Sequence, residues 1–520
     1  MTPSEELFDL ICSLTPSEKR YFKIFASRHT LGEVNNYVRL FDAVEKQKKY
    51  DEKRIKEIFK NESLVKRLSS EKSYLFNFIL ESLNSFHLNS KSDSILRKQL
   101  NQLEILSGKA LYESSEKLFE KIYSRAMELE KYEQVYEALK WRNQLMLRKS
   151  FYGVDEKKLA ASFKEKEVVL QKLSNINKYT YLRYQVDHTF TIYGKPRNKK
   201  ELERYEKIMK SPLLKIRKHI LCNFSEYLYN NIYISFYAFI KNECAKAVPY
   251  INTQIKLIES EPKKIIDNPS FYIHSLFHAL MTYSGLGLKG EKEFLYYLEK
   301  LKNIERNYPL KLNNNQGIDV ATYLNLELKF CNVTGKFERA KSIIPDVEKR
   351  VTAISGKVHI RNELTTYYEI AYAYFGMGQH KESLKWLNKI MDYPEYSIDN
   401  PNKRFSKILH LIILSELEDV DFLPYAFRSV YRFLIKRQNF SKGEFQLMDF
   451  LKKSLKIKNN QGLIGLYKST RDEFVKINRD PFERSFLSSF DFISWLESKI
   501  EKRPFAEVVT KNAEKRAGMG

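Results

Sequence analysis

Cysteine, proline and glycine are scarce in this sequence, with 4, 14 and 17 residues among 520. The cysteines are scattered and form no CxxC pair, which argues against a disulfide scaffold and the common zinc-binding patterns; they are Cys12, Cys222, Cys244 and Cys331. So few glycines and prolines, with hardly any alternation of valine and threonine, argue against a β-rich fold. We expect free thiols in a reducing, cytoplasmic environment.

Long hydrophobic runs are also missing. The longest uncharged run lies between Glu226 and Lys241, contains several polar residues, and is too short to span a bilayer. The opening MTPSEELFDL has neither a basic segment nor an apolar one, so we expect no signal peptide and no membrane span. With 43% hydrophobic and 30% charged residues, the composition is that of a soluble folded protein.

Positive charge, by contrast, is abundant, with a formal net charge of +24 at pH 7. An excess of this size can attract nucleic acid, an anionic membrane surface or an acidic protein. The other interpretation is compositional, because lysine, asparagine, isoleucine, tyrosine and phenylalanine are all frequent, as AT-rich coding would give. Lysine greatly outnumbers arginine, whereas recognition of phosphates and bases favours arginine. The sequence therefore favours the compositional interpretation.

The stretch Leu364–Met391 has the pattern of two short helices that meet at a glycine turn. Its first half carries an apolar stripe at i, i+3, i+4 and i+7, formed by Tyr367, Ile370, Ala371 and Tyr374. Gly376 and Gly378 interrupt the pattern, and a second stripe follows at Leu384, Leu387, Ile390 and Met391. Neither helix can bury its stripe alone, so the pattern predicts stacked helical hairpins.

An earlier segment repeats this arrangement around Gly335, which lies 43 positions before Gly378. The pattern has four features: a small residue in the first helix (Ala371), an aromatic residue one turn later (Tyr374), a turn glycine (Gly335, Gly378) and a small residue in the second helix (Ala340, Ser383). In these features the chain resembles the tetratricopeptide-repeat superfamily, although that family repeats about every 34 residues. Weaker copies predict further turns near Asn242 and Lys289. The resemblance implies an all-α fold, an irregular right-handed superhelix of helix-turn-helix repeats.

The sequence predicts three regions: an N-terminal helical module over residues 1–95, the solenoid over 96–500, and a flexible basic tail over 501–520. Thr-Pro-Ser-Glu occurs at Thr2 and again at Thr15, and each copy is a capping box that should start a helix at the following proline. Ser441 begins a third capping box. An aromatic-rich final helix is expected to start at Pro481 and to cover the open end of the array.

Three short motifs are candidates for a cofactor-binding, metal-binding or catalytic site. The GxGxxG of Gly285, Gly287 and Gly290 follows a helical segment rather than a strand, so we interpret it as an inter-helix turn. His274 and His278 lie at i and i+4 but lack the further ligands of a zinc site. Arg183 to His188 and Arg404 to His410 are similar to the loose RxxxxH-type pattern of certain all-helical ribonucleases, a pattern short enough to arise by chance. We therefore predict no catalytic, cofactor-binding or metal-binding residues.

A basic helical face is the candidate binding surface that the sequence offers, and its residues are Arg428, Arg432, Lys436, Arg437, Lys452, Lys453 and Lys456. Because helical-repeat arrays usually present a concave surface to a peptide or protein, the resemblance implies a non-catalytic scaffold or adaptor that binds a partner. An acidic segment of that partner would suit the positive charge. Lys329, Glu369 and Tyr372 are expected to line that surface. The alternative is a protein that binds RNA, DNA or a ribonucleoprotein through the basic face.

Overall fold

The computed structural model describes residues 3–28, 36–60, 62–88, 92–310, 312–358, 360–393, 401–417, 422–436, 441–457 and 459–518. All the regular secondary structure in these ranges is helical, and they contain no β-strand, which confirms the all-α fold class. No described helix combines the length and the apolar character needed to cross a membrane. The chain forms two compact units, Met1–Leu173 and Ser174–Gly520.

The first unit begins with helices that share one apolar core, whose members include Leu7, Phe22, Phe41 and Ile79. The Thr15 capping box is present, since the Glu18 N–H donates to Thr15 Oγ1 at 3.3 Å and the Thr15 N–H donates to the Glu18 carboxylate at 2.8 Å. Thr2, the predicted start of the other copy, lies outside the described residues. The helices of this unit are α1 (Pro3–Ser13), α2 (Pro16–Ser27), α3 (Asn36–Glu45), α4 (Glu52–Ile58), α5 (Ser63–Lys66), α6 (Leu68–His87), α7 (Ser92–Gly108), α8 (Tyr112–Glu128) and α9 (Tyr132–Arg148).

The second unit contains the predicted hairpins. Helix α10 (Glu156–Tyr193) includes the boundary between the units, and the helices after it are α11 (Lys199–Met209), α12 (Pro212–Lys215), α13 (Asn223–Ile234), α14 (Cys244–Glu259), α15 (Pro262–Asp267), α16 (Ser270–Ser284), α17 (Glu291–Lys302), α18 (Ile304–Asn307), α19 (Asn314–Leu324), α20 (Leu326–Thr334), α21 (Phe337–Ile354), α22 (Ile360–Gly376), α23 (His380–Met391), α24 (Pro401–Glu416), α25 (Leu423–Lys436), α26 (Lys442–Ser454), α27 (Asn460–Ile477), α28 (Arg484–Leu487), α29 (Phe492–Glu501) and α30 (Phe505–Ala517). A π-helical segment, Ser235–Ile240, continues α13, and 3₁₀ segments occur at Arg217–His219 and Gly287–Gly290.

Consecutive helices of this unit pack as hairpins, namely α13 with α14, α16 with α17, α20 with α21, and α22 with α23. The predicted turns are confirmed: Asn242, Gly335 and Gly378 have φ of 54°, 76° and 73°, and the Gly287–Gly290 segment joins α16 to α17. The first helices also contact one another across hairpins, α16 with α20 and α20 with α22. We call α13, α16, α20 and α22 the first-helix row. This arrangement is consistent with an α-solenoid.

Small residues bring the helices of a hairpin close together. Ser383 on α23 is fully buried, and its Oγ donates to the Ala371 carbonyl of α22 at 2.6 Å. Ile370 and Leu387 are buried completely in the same core. Since burial of an Ile or Leu side chain contributes about 1.5–3 kcal/mol, the apolar stripes account for the pairing of these helices.

The C-terminal region differs from the two predictions made for it. The expected helix from Pro481 is broken into α28 and α29, and Phe490 lies between them, where its ring stacks on Phe505 at 5.5 Å. Where a flexible tail was predicted over residues 501–520, Phe505–Ala517 form α30, which packs against α20, α29 and the Gly287–Gly290 segment. Val508 and Val509 of this helix are buried. The apolar positions of α30 thus find a surface on the array itself.

Candidate binding site on the first-helix row

The predicted basic face is solvent-exposed where the structure describes its side chains. Arg428 and Arg432 lie one turn apart on α25, and the Arg428 guanidinium lies over the Tyr425 ring at 4.8 Å. Lys436 is the last residue of α25, and Arg437 lies outside the described residues. Helix α25 packs on α24.

Lys452, Lys453 and Lys456 of the basic face belong to a different helix, α26, and to the residues just after it; α26 packs on α27. Lys452 and Lys453 are exposed on α26, Lys456 is exposed just beyond its end, and Lys453 forms an ion pair with Asp449 at 2.6 Å. The residues of the predicted face are therefore carried by α25 and by α26 with the residues just after it.

A more enclosed group of polar side chains lies on the first-helix row. Lys329 of α20 and Glu369 of α22 interact, since the Lys329 charge opposes the rise that burial causes in the pKa of the Glu369 carboxyl. The Asn332 amide donates to Glu369 Oε2 and to the Glu369 carbonyl, both at 2.9 Å. Asn332 is fully buried, and its Oδ1 has no hydrogen-bond partner among the described atoms. The sequence placed Lys329 and Glu369 on this surface, and the structure brings them together.

Lys195 joins this group from the connector that follows α10. The Lys195 side chain is half-buried, and desolvation, helped by the Lys329 charge, lowers the pKa of Lys195 to about 8. The Cys244 thiol lies near enough to interact with both lysines, and burial raises its pKa. We call Lys195, Lys329, Asn332 and Glu369 the lysine recess. Its charged side chains, Lys195, Lys329 and Glu369, are half-buried, whereas Asn332 is fully buried.

A second polar cluster connects α10, α13 and α16. The Arg183 Nε donates to Asn231 Oδ1, and the Asn231 amide donates to His278 Nδ1 at 3.3 Å. Arg183 also pairs with Asp187 on its own helix. Burial, together with the charges of Arg183 and His274, lowers the pKa of His278 to about 3, so the imidazole is neutral at physiological pH.

Partly exposed aromatic and acidic groups of α19 lie beside α16 of the row. Tyr323 of α19 stacks on Phe277 of α16 at 4.4 Å and approaches His274 at 5.9 Å. Burial raises the pKa of Asp319, and the charge of His274 opposes this rise. The His274 Nδ1–H donates to the Ser270 carbonyl at 2.7 Å. The row thus offers aromatic surface beside groups that can donate or accept hydrogen bonds.

Beyond Glu369 the row is covered by the chain itself. Tyr372, the third residue that the sequence placed on a free surface, is 5% exposed, and its Oη accepts a hydrogen bond from the Asp491 N–H at 3.1 Å. Tyr368 donates to the Ser489 carbonyl at 2.9 Å. The prediction for Tyr372 is therefore wrong, because the segment before α29 packs over this turn of α22.

The residues of the three short motifs lie in the following surroundings. Gly287 and Gly290 bound a 3₁₀ turn after α16, as expected, and among the described residues no three His, Cys, Asp or Glu side chains are grouped to hold a metal ion. His188 is exposed, and Arg404 pairs with Glu444 of α26. The structure describes no hydrogen bond between Arg183 and His188 or between Arg404 and His410.

The first unit has an open cleft of about 760 Å³, lined in part by Lys19, Lys23 and Glu45. Both lysines are already paired, Lys19 with Glu45 at 3.0 Å and Lys23 with Asp42 at 2.8 Å. Since these two lysines are already paired, the cleft is a weaker candidate than the first-helix row.

Sequence reasoning missed Lys195 and Asn231, and it named Arg183 and His278 only in separate short motifs, without predicting that they lie in one cluster. The available signal was a set of polar residues inside helices that are otherwise apolar, such as the asparagines of α13 and the histidines of α16. Lys195 carried no such signal, because it lies in a connector. Comparison of the chain with protein-family models, with curated proteins and with solved structures found no match in any of the three.

Proposed function

We propose that this protein is a non-catalytic interaction scaffold whose second unit binds a segment of a partner protein along the first-helix row. In this proposal the hairpins form an irregular right-handed superhelix similar to that of tetratricopeptide repeats. The free thiols of the described cysteines suit a cytoplasmic protein.

One observation carries the proposal: the lysine recess on the row is polar and half-buried, yet several of its groups have no described partner. Lys195 and Lys329 make no described hydrogen bond or ion pair, and Asn332 Oδ1 is buried without one. Leaving a buried polar group unpaired costs about 1–3 kcal/mol. A bound peptide has backbone and side-chain groups that can satisfy them, and Tyr323 offers it an aromatic contact.

Selection from a phage-displayed library of random dodecapeptides on the immobilised full-length protein tests this function. A benzoylphenylalanine photo-crosslinker at Tyr323 should capture the selected peptides, whereas the same group at Tyr425, which is 66% exposed on α25, should not. Failure to enrich any peptide, or crosslinking at Tyr425 alone, would contradict the proposal.

The exposed Tyr425 beside Arg428 favours a second candidate, nucleic-acid binding at α25. An aromatic ring next to a guanidinium can stack on a base of single-stranded RNA. If this is the function, the double variant Arg428→Ala/Arg432→Ala should weaken binding of an RNA oligonucleotide and reduce its salt dependence. Lys140→Ala/Lys157→Ala removes the same charge from exposed positions of the first unit and should change neither.

A further inference from the structure

The C-terminal half of α10 exposes a row of aromatic side chains. Tyr181, Tyr184 and His188 lie at i, i+3 and i+7, which places them on one side of the helix, each about one turn, or roughly 5 Å, from the next. Tyr181 is 63% and Tyr184 67% exposed, and His188 is exposed as well. The other side of α10 is buried, since Tyr179 and Leu182 belong to an apolar core of the second unit. The structure describes no hydrogen bond, ion pair or ring contact for the side chains of the exposed row.

Positive charge surrounds this end of α10. Between Ser174 and Lys200 the one acidic residue is Asp187, and it pairs with Arg183 on the same helix. The same range holds six basic residues, namely Lys178, Arg183, Lys195, Arg197, Lys199 and Lys200. The structure describes no ion pair or side-chain hydrogen bond for Arg197, Lys199 or Lys200, and all three are exposed. These charges are therefore available to an anionic ligand.

Contacts between α10 and α11 bring these cations beside the end of the aromatic row. The Arg204 guanidinium of α11 lies over the Tyr193 ring of α10 at 4.2 Å. Tyr205 Oη, also on α11, donates to the Gly194 carbonyl at 2.6 Å. The Glu201 carboxylate accepts from the Arg197 N–H at 2.9 Å, which holds the connector at the start of α11. The backbone that carries the cations thus has a fixed place at the end of α10.

We propose that these side chains bind a single strand of nucleic acid, a role that goes beyond the scaffold function. We call Tyr181, Tyr184, His188, Arg197, Lys199 and Lys200 the α10 surface. Bases stack on the exposed rings of α10, and the phosphates that follow lie against the cations of the connector and of α11. A duplex is excluded from this mode, because its bases are stacked on each other and do not present their faces to the rings.

The α10 surface fits a single strand better than a membrane or an acidic peptide. Asn177 and Lys178 share the exposed side of α10 with the tyrosines, and Ile192 adds one aliphatic side chain at its end, which leaves little apolar area to enter a lipid layer. An acidic peptide would neutralise the cations but leave the tyrosine rings without stacking partners. Every base has a π-face, so a single strand uses both parts of the surface.

Fluorescence anisotropy of the full-length protein with labelled twelve-nucleotide oligouridine and oligothymidine tests the assignment. We expect at least one of the two to bind, with the pair showing whether the sugar matters, and a duplex of the same length to bind at least tenfold more weakly. Tyr181→Ala/Tyr184→Ala should lower affinity at least tenfold, because it removes two stacking platforms. Tyr181→Phe/Tyr184→Phe keeps the rings and should stay within twofold of the wild type. Tyr152→Ala/Tyr296→Ala removes two exposed rings elsewhere and should also stay within twofold.

The salt dependence of binding tests the cations. Lys199→Ala/Lys200→Ala should reduce the slope of log affinity against log salt by about 1.4, since each phosphate contact on a single strand contributes about 0.7. Lys140→Ala/Lys157→Ala removes the same charge from exposed positions of the first unit and should leave the slope unchanged.

Several results would overturn the assignment: no binding of either oligonucleotide, equal binding of the duplex, or full affinity in Tyr181→Ala/Tyr184→Ala. It is also wrong if a polyglutamate dodecapeptide or phosphatidylserine vesicles bind as tightly as the oligonucleotides and depend on the same tyrosines. If Arg428→Ala/Arg432→Ala weakens binding and the tyrosine variant does not, the strand lies on α25 instead. The peptide selection and crosslinking at Tyr323 test the scaffold function separately. Circular dichroism and thermal melting verify that each variant is folded.

Discussion

Thr510 of α30 donates a hydrogen bond through its hydroxyl to the carbonyl of Gly335, 175 positions earlier in the chain, at 3.1 Å. Gly335 is the turn between α20 and α21, and it is left-handed, with φ of 76°. A Cβ added there would come within 2.5 Å of Thr510 Oγ1 and 2.7 Å of its backbone nitrogen. The C-terminal helix therefore packs against a position that only glycine can occupy without displacing it.

Gly335→Ala should loosen α30. The variant places alanine in the left-handed backbone conformation, which costs about 1 kcal/mol. Its Cβ also clashes with the Thr510 backbone. We expect the free energy of unfolding to fall by about 2–4 kcal/mol and hydrogen exchange to rise across residues 505–517. Gly378→Ala is the matched control, because Gly378 has φ of 73° at the equivalent turn and a Cβ there would meet nothing within 4 Å. Equal losses in the two variants would contradict the role of the Thr510 contact.

Gly376→Ala should destabilise the packing of α21 against α22. A Cβ on Gly376 would lie 1.9 Å from Cε1 of the Phe337 ring, and Phe337 is itself buried. Overpacking of this kind costs about 1–3 kcal/mol. Gly465→Ala, in the open part of α27, should instead stabilise by up to about 1 kcal/mol through helix propensity, since nothing lies within 4 Å. Urea unfolding of both variants measures the difference, and a stable Gly376→Ala would show that the ring moves aside without cost.

The sequence predicted the hairpins well because their determinants are local. Glycine at the turn and apolar residues at helical spacing lie within each repeat, as around Gly335 and Gly378. It did not predict α30, although Phe505, Val508, Val509 and Ala513 recur at i, i+3, i+4 and i+8. That stripe is short, and the surface that buries it comes from residues far away in the chain.

The candidate site was predictable only in part, for the same reason. Lys329 and Glu369 could be placed on one surface, because each interrupts the apolar pattern of its own helix. Lys195 could not, since its position depends on how the connector after α10 packs against α20. Tyr372 was misplaced because the segment that covers it, including Asp491, is distant in sequence.

Lys195→Met should stabilise the protein near neutral pH. The folded-state pKa of Lys195 is lowered to about 8, so between pH 8 and 10.5 the unfolded chain binds this proton more tightly than the folded chain does. The penalty is fully present below about pH 8 and is lost as pH rises toward 10.5. We expect a gain of about 1–3 kcal/mol at pH 7 that shrinks toward pH 10.5.

Denaturant unfolding of wild type and Lys195→Met across this pH range is the measurement. Lys329 and Cys244 are the titratable groups that interact with the same ammonium, and both remain in both proteins, so their own titrations largely cancel in the difference. Lys210→Met, at an exposed position, should change stability little at any pH. A pH-independent gain from Lys195→Met would show that burial does not shift this lysine.

His278 should make the protein sensitive to acid. Its folded-state pKa is lowered to about 3, so as pH falls below about 6.5 the unfolded chain takes up a proton that the folded chain refuses, and stability decreases. Arg183 and His274 are the charged neighbours that oppose protonation, while Asn231 binds the neutral ring through Nδ1. In His278→Gln the glutamine oxygen can still accept from Asn231, but no group at this position titrates.

The free energy of unfolding of the wild type should therefore fall by about 1–3 kcal/mol more than that of His278→Gln between pH 7 and pH 4. The control variant His188→Gln removes an exposed histidine and should leave the pH dependence of the free energy of unfolding as in the wild type. Parallel pH profiles for wild type and His278→Gln would mean that the cluster opens to admit the proton.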